Sequence, residues 1–156
     1  MNLVELLSKK NLKLAVAESL TAGKLSDLIA KNEGISKYYQ GSITSYTCDI
    51  KNSVLGVNKE WLDEHGPYNF GTTHQMCDGV MKLMNADITV ATSGVAGPND
   101  DGDTEAGTVY ISVKVNDSYE DLLISYENHT REQVRDLAAT MAYNLLEKVL
   151  IEINWR

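Results

Sequence analysis

The chain has 156 residues, of which 43% are hydrophobic and 23% charged, a composition typical of a soluble globular protein. Its formal net charge of −8 argues against a nucleic-acid or anionic-membrane partner, because both are bound by clustered Lys and Arg. Residues 1–16 interrupt their apolar run with charged side chains and so lack the core of a signal peptide. We expect one domain over residues 1–156, located in the cytoplasm.

The first elements are predicted to be a helix, a strand and a second helix. Leu3, Leu6 and Leu7 have helical spacing, and the apolar run over residues 12–17 is typical of a buried strand. Over residues 21–31 the apolar side chains again fall on one face of a helix. The hydroxyl-rich segment VAESLTAGK therefore joins a strand to a helix.

The middle of the chain alternates strands and helices. Residues 40–46 are rich in β-formers, and short helices are predicted before Gly56 and after Asn58, which suits an N-cap. An amphipathic helix is predicted over 76–84, followed by a strand over 88–94 that runs into a glycine-containing loop.

A hairpin and a long helix are predicted at the end of the chain. Residues 109–115 alternate between apolar and polar side chains, and residues 122–126 can pair back on them across a turn at 116–118. Thr130 and Gln133 form a capping-box pattern before a long helical repeat of apolar residues.

This order of elements predicts an α/β fold, a three-layer α/β/α sandwich around a mixed, mostly parallel sheet with one late β-hairpin. In such sheets ligands bind beyond the carboxyl ends of the strands. Ser19 and Ser93 both fall at predicted strand ends of this kind.

The VAESLTAGK loop leaves two interpretations open. It is not a phosphate loop, because Glu18 and Leu25 stand where that motif requires glycine and a hydroxyl residue. It is not a nucleophile elbow either, because Ser19 is not flanked by the required glycines. The hydroxyl of Ser19 or Thr21 can cap the following helix. Alternatively, free N–H groups at the helix start form an oxyanion site beside a serine nucleophile.

A serine nucleophile needs a base, and no histidine is suitably placed. Lys51 is the candidate because it closely follows the predicted strand at 40–46, and burial can keep its amine neutral. A solvated surface lysine is the alternative for Lys51, and a tyrosine such as Tyr46 is most often a packing residue with its hydroxyl at the rim. Cys48 and Cys77 form no CxxC motif, and the histidines lack the spacing of a ligand set, so we expect free thiols and no metal.

Two arginines in the opening turns of the last helix indicate an anion site. Arg131 and Arg135 oppose the helix dipole, and an anionic ligand would relieve that conflict. Pairing with Glu127 or Glu132 is the alternative. The acidic segment within residues 94–107 lacks the spacing of a calcium loop and is interpreted as an exposed turn.

Five segments in order carry a resemblance to a known family. They are AESLTAG (17–23), GSITSYTCDIKNSVLGV (41–57), TSGVAGP (92–98), GTVYIS (107–112) and TREQVR (130–135). On these motifs the chain resembles the CinA C-terminal domain family of competence/damage-inducible proteins, which includes nicotinamide mononucleotide (NMN) deamidases. Relatives have AESCTGG and GAVSEEVA where this chain has AESLTAG and GPYNFGTT.

The resemblance implies a three-layer α/β/α fold and hydrolysis of the NMN carboxamide to nicotinic acid mononucleotide and ammonia, without a metal or other cofactor. The family's serine nucleophile falls on Ser19, its tyrosine on Tyr46 and its lysine on Lys51. Lys51 is then expected to take the Ser19 proton directly or through Tyr46. Backbone N–H groups after Ser19 are expected to hold the oxyanion.

The resemblance also implies a nucleotide pocket and a homodimer or higher homo-oligomer. The residues expected to contact the substrate are Glu18, Thr21, Gly23, Ser93, Gly94, Gly97 and Arg131. Of these, the glycine loop and Arg131 are expected to hold the ribose and the phosphate. Two other functions stay open: a nucleotide-binding or partner-binding module without turnover, and a hydrolase of another small amide.

Overall fold

The computed structural model describes residues 1–155. Its helices and strands are α1 (Leu3–Ser8), β1 (Leu14–Glu18), α2 (Lys24–Ala30), β2 (Tyr39–Thr44), α3 (Cys48–Ser53), α4 (Lys59–His65), α5 (Phe70–Met84), β3 (Ile88–Gly94), β4 (Thr108–Val115), β5 (Ser118–Ser125) and α6 (Arg131–Asn154), with a 3₁₀ turn at Ile35–Lys37. Within this part of the chain, none of the helices combines the length and apolar character needed to span a membrane.

The five strands form one mixed sheet in the order β2-β1-β3-β4-β5. Strand β1 pairs in parallel with β2 and with β3, whereas β4 is antiparallel to both β3 and β5. Four of the five strands therefore run in one direction, and β4 alone is reversed. The predicted mixed, mostly parallel sheet with a late hairpin is confirmed.

Helices cover both faces of the sheet, which gives the three predicted layers. On one face, α1, α2 and α6 pack against the side of β1 that carries Leu14 and Val16. On the other face, α5 and the preceding short helices pack against Ala15 and Ala17. Because both sides of β1 are covered, its sequence shows a continuous apolar run rather than alternation.

Side-chain caps fix the helix starts that the sequence predicts. The Asn58 side chain accepts a hydrogen bond from the Trp61 N–H at 2.8 Å, which begins α4. Thr130 and Gln133 make both hydrogen bonds of the capping box that begins α6. Thr47 caps α3 in the same way, three residues after the end of β2, and the last turn of this short helix carries Lys51 toward the strand ends.

Helix α2 begins at Lys24, three residues later than predicted. Ala22 and Gly23 both adopt left-handed backbone conformations, with φ of 43° and 99°, and they turn the chain into the helix. The interpretation of Ser19 or Thr21 as a capping hydroxyl is wrong, because no N–H group at the helix start donates a hydrogen bond to either side chain. The Thr21 hydroxyl instead lies 2.8 Å from that of Thr92.

Candidate active site

The carboxyl ends of three neighbouring parallel strands meet at one edge of the sheet. Ser19 directly follows β1, Ser45 and Tyr46 follow β2, and Gly94 ends β3. The chain passes from β1 to β2 on one side of β1, and β3 then lies on the other side. The direction of the strand order therefore changes at β1, and the crevice beyond the carboxyl end of such a strand is the usual ligand position in an open α/β sheet. Polar groups that are far apart in sequence are therefore gathered around Ser19.

Lys51 reaches Ser19 from helix α3. Its side chain is only 1% exposed, and its Nζ lies 2.9 Å from the Ser19 Oγ. The same nitrogen lies 2.8 Å from the carbonyl oxygen of Ser45 and 3.2 Å from that of Tyr46. The expectation that Lys51 is a solvated surface lysine is therefore wrong, and the direct contact that a serine–lysine pair requires is present.

Burial favours the neutral form of the Lys51 amine. Removal from water lowers the pKa of Lys51 to about 8, because the charged form loses its hydration. A neutral amine has two N–H donors and one lone pair. The two carbonyl groups can accept both donors, which leaves the lone pair for the Ser19 hydroxyl. The three contacts thus suit a neutral lysine acting as a base.

The backbone around Ser19 offers candidate oxyanion donors. The Ser19 N–H itself donates to the Thr92 hydroxyl at 3.2 Å, and its carbonyl oxygen accepts from the Ala22 N–H. The N–H groups of Leu20 and Thr21 have no acceptor within residues 1–155. Leu20 also lines the cavity next to Ser19, and a free backbone N–H beside a nucleophile can stabilise a tetrahedral oxyanion.

The carboxylate of Glu18, rather than a hydroxyl, caps the start of α2. It is fully buried and accepts hydrogen bonds from the N–H groups of Leu25, at 2.9 Å, and Ser26, at 3.2 Å. A negative charge at a helix start also interacts favourably with the helix dipole. We therefore assign Glu18 to holding the Ser19 loop against α2 rather than to substrate contact.

Replacing Glu18 with glutamine is expected to destabilise the fold by about 1–3 kcal/mol, because one buried N–H loses its acceptor and the dipole interaction is lost. Urea denaturation at neutral pH measures this as a lower free energy of unfolding. Glu33→Gln is the matched control, because Glu33 is exposed and its loss of charge should leave stability nearly unchanged. Equal stability of the two variants would contradict the assigned role.

Two adjoining cavities open beside the serine–lysine pair. The serine cavity, about 300 Å³, is lined by Ser19, Leu20, Tyr46, Cys48, Lys51, Pro67, Tyr68, Gly94, Ala96 and Asp101. The arginine cavity, about 420 Å³, shares Tyr46, Tyr68, Gly94, Ala96 and Asp101 and adds Val95, Gly97, Pro98, Asn99 and Arg131. Both volumes lie in the range of small-molecule sites.

Arg131, the first residue of α6, connects the start of this helix to the glycine loop that follows β3. Its guanidinium donates to the carbonyl oxygen of Gly97 at 2.7 Å and to the hydroxyl of Tyr46 at 2.8 Å. Arg135 donates to the carbonyl oxygen of Leu20 at 2.8 Å. Neither arginine pairs with Glu127 or Glu132, so that alternative is wrong.

Three of the seven residues predicted to contact substrate line these cavities: Gly94, Gly97 and Arg131. The other four do not. Glu18, Thr21 and Ser93 are buried in the framework, and the Ser93 hydroxyl donates to the carbonyl oxygen of Pro67 at 2.7 Å. Gly23 lines a separate groove of about 660 Å³ between α2 and α6.

That separate groove is larger than the serine cavity and the arginine cavity, but it lacks a paired nucleophile and base. Its lysines are engaged by acidic neighbours, with Lys24 bound to Asp136 and Lys31 to Asp27. The serine cavity is therefore the better candidate. Sequence reasoning did not foresee Tyr68 and Asp101 on its wall, although Tyr68 lies in GPYNFGTT, where the chain departs from the family pattern.

The fold and the site together define a three-layer α/β domain with a buried serine–lysine pair at the carboxyl ends of its parallel strands. The model of the CinA C-terminal domain matches residues 1–150. The chain belongs to the CinA C-terminal domain family.

Proteins with related sequences are named as CinA-like or competence-damage inducible proteins. A CinA-like protein of Shewanella baltica is 35% identical over 148 residues, which is 93% of this chain and 34% of that protein. A putative competence-damage inducible protein of Streptococcus agalactiae is 31% identical over 150 residues, 96% of this chain and 36% of that protein. The chain thus spans about a third of the length of the curated relatives it matches.

Solved structures of the same superfamily share the fold. A CinA superfamily protein from Escherichia coli has a TM-score of 0.90 at 26% identity, covering 94% of this chain and 86% of that chain. A competence or damage-inducible protein from Enterobacter asburiae has a TM-score of 0.89 at 29% identity, covering 95% and 93%. The three-layer fold is therefore the fold of the superfamily.

Proposed function

We propose that this chain is a nicotinamide-nucleotide amidase, a hydrolase that converts the carboxamide of NMN to the carboxylate of nicotinic acid mononucleotide and releases ammonia. The observation that carries the proposal is the 2.9 Å contact between the Lys51 amine and the Ser19 hydroxyl at the base of a cavity. A hydroxyl beside a buried amine of lowered pKa is an activated nucleophile suited to acyl transfer.

In the first half of the proposed reaction the serine is acylated. Neutral Lys51 takes the Ser19 proton while the Ser19 Oγ bonds to the amide carbon, and the carbonyl oxygen becomes an oxyanion beside the Leu20 N–H group. The oxyanion then collapses, the C–N bond breaks, and the Lys51 ammonium gives its proton to the departing nitrogen. Ammonia leaves, Lys51 is neutral again, and Ser19 carries an ester.

Water completes the proposed reaction. Lys51 takes a proton from the attacking water, the ester bond to Ser19 breaks, and the Ser19 oxygen recovers its proton from Lys51. The direct route between Lys51 and Ser19 is the one with hydrogen-bonding geometry. The Tyr46 hydroxyl instead accepts from Arg131, so we assign Tyr46 to the wall between the two cavities.

The arginine cavity is proposed to hold the ribose phosphate. Arg131 provides a guanidinium beside the backbone of Gly94 and Gly97, where a phosphate can form charge-assisted hydrogen bonds. Because this cavity shares a wall with the serine cavity, a phosphate bound here leaves the base of the nucleotide directed toward Ser19.

Replacing Arg131 with methionine is expected to raise KM for NMN by about tenfold or more with little change in kcat, because phosphate binding is remote from the bond that breaks. Steady-state kinetics with NMN and with nicotinamide riboside, which lacks the phosphate, provide the measurement. The KM for the riboside should change little when Arg131 is replaced. An equal loss for both substrates would place the phosphate elsewhere.

Product analysis tests the proposed function directly. The purified chain is incubated with NMN, and ammonia and nicotinic acid mononucleotide are quantified together; the proposal requires equal amounts of the two. Free nicotinamide and other small amides serve as competing substrates. Faster turnover of one of these would favour a different amidase, and NMN binding without product would favour a binding module.

The proposed setting is the cytoplasm, and the proposed assembly is a homodimer or higher homo-oligomer, as the family resemblance implies. Analytical ultracentrifugation of the purified chain measures the assembly state. A monomer at all concentrations would contradict this part of the proposal.

A further inference from the structure

One wall of the site is built by two loops that are joined through a hydrogen bond. Tyr68 lies between α4 and α5, and Asp101 lies in the turn between β3 and β4. The Tyr68 hydroxyl donates to the Asp101 Oδ2 at 2.6 Å. Both residues line the serine cavity and the arginine cavity, so the pair stands where the base and the ribose of a bound nucleotide would meet.

Among the described residues that line the two cavities, Asp101 is the only one with a carboxylate. The other charged lining residues are Lys51 and Arg131, and Asp101 forms no ion pair with either or with any other described side chain. An unpaired carboxylate opposes the binding of a phosphate-bearing ligand unless the ligand places a positive charge beside it. The charge pattern therefore favours a ligand with an anionic phosphate and a cationic base.

We propose that Tyr68 and Asp101 are specificity-determining residues that recognise the positive charge of the pyridinium ring of NMN. This inference rests on the proposed function. The two residues would favour this ring over an uncharged ring of the same shape that carries the same carboxamide and phosphate. The reduced, dihydropyridine form of NMN is such a ligand.

The two side chains act together on the ring. Asp101 supplies a negative charge, and the electron-rich faces of Tyr68 and Tyr46, which line both cavities, attract a cation. The hydrogen bond from Tyr68 fixes the Asp101 carboxylate at the cavity wall. Burial and the neighbouring Asp101 raise the pKa of the Tyr68 hydroxyl, so it stays a neutral donor.

Binding measurements in a Ser19→Ala background separate charge recognition from turnover. Isothermal titration calorimetry gives the Kd for NMN and for its reduced form. Both ligands are measured with Ser19→Ala alone and with Ser19→Ala combined with Asp101→Asn. The Asp101→Asn substitution removes the charge but keeps an acceptor for the Tyr68 hydroxyl. Asp103→Asn is the matched control, because Asp103 lies in the same turn but lines neither cavity. Tyr68→Phe, in the same background, keeps the ring and removes the hydrogen bond.

We expect Asp101→Asn to weaken NMN binding about tenfold and to change the affinity for the reduced form by less than about twofold. Tyr68→Phe should give a smaller loss with the same preference, and Asp103→Asn should change neither affinity. Equal effects of Asp101→Asn on both ligands, or none, would overturn the inference.

The outcomes also separate this inference from the proposed function. If NMN binds with the expected charge preference but the parent chain does not hydrolyse it, the amidase function is refuted and charge recognition by Tyr68 and Asp101 is retained. If the chain hydrolyses NMN but binds it without a charge preference, only the charge recognition by Tyr68 and Asp101 is refuted. Failure of NMN to bind would refute both.

Discussion

Ammonia release from NMN is expected to fall by at least about 10³-fold when Ser19 is replaced with alanine, because the variant has no group to form the acyl intermediate. Removing one hydroxyl also removes the hydrogen-bond partner 2.9 Å from the Lys51 amine, but the Leu20 N–H group on the cavity wall stays in place. NMN binding should therefore persist. Coupled detection of ammonia under saturating NMN provides the measurement.

A serine on the neighbouring helix controls for the loss of a hydroxyl as such. Ser53 is exposed on α3, two residues after Lys51, and Ser53→Ala should retain full activity. Thermal denaturation of both variants establishes that they are folded. Ammonia release by Ser19→Ala at the parental rate would show that another group attacks the amide.

Replacing Lys51 with methionine is expected to lower kcat by about 10²–10⁴-fold, the usual contribution of a positioned general base. Methionine has a similar shape but cannot take a proton. Lys59→Met is the matched control, because Lys59 is exposed on α4 and binds only Asp63. Since Lys51 also donates to two carbonyl groups, the folding of the variant is checked by circular dichroism.

The pH profile of the parent chain tests the same base without a mutation. Lys51 must be neutral to accept a proton, and burial lowers its pKa from 10.5 to about 8. Below this pKa the amine is protonated and inactive, so kcat/KM should rise as pH increases through about 8 and then level off. A profile that keeps rising toward pH 10.5, or is flat from pH 6 to 10, would contradict the assignment.

The layered fold was predictable because its strands and caps are local features. The buried run of β1, the alternation of β4 and the Thr130–Gln133 capping box each follow from a short stretch of residues. The contact between Ser19 and Lys51 is different, because 32 residues separate them. Patterning alone favoured a surface position for Lys51 over the role of a base, and the family resemblance was needed to pair Lys51 with Ser19.

The start of α2 shows why short polar loops are hard to interpret. Hydroxyl residues are common caps, so Ser19 and Thr21 both fitted that role. Two residues in left-handed conformations, Ala22 and Gly23, delay the helix and let the buried Glu18 carboxylate reach its first N–H groups. Ala22, where the family resemblance implies a glycine, lines the groove between α2 and α6 and does not line the serine cavity.

The wall formed by Tyr68 and Asp101 could not be predicted from either loop. Both residues lie in segments without periodic pattern, and 33 positions separate them. Only the folded arrangement brings them to the same cavities. The departure of GPYNFGTT from the family pattern marked the segment as different but did not indicate its partner.

Capture of the acyl group by hydroxylamine tests most directly that Ser19 forms a covalent intermediate with NMN. Added during turnover, hydroxylamine should divert the acyl group from the acid product to a hydroxamate, in proportion to its concentration, while ammonia release is not slowed. The Ser19→Ala variant should form no hydroxamate. Ammonia release without any hydroxamate, or hydroxamate formation that persists in the variant, would contradict nucleophilic attack by Ser19.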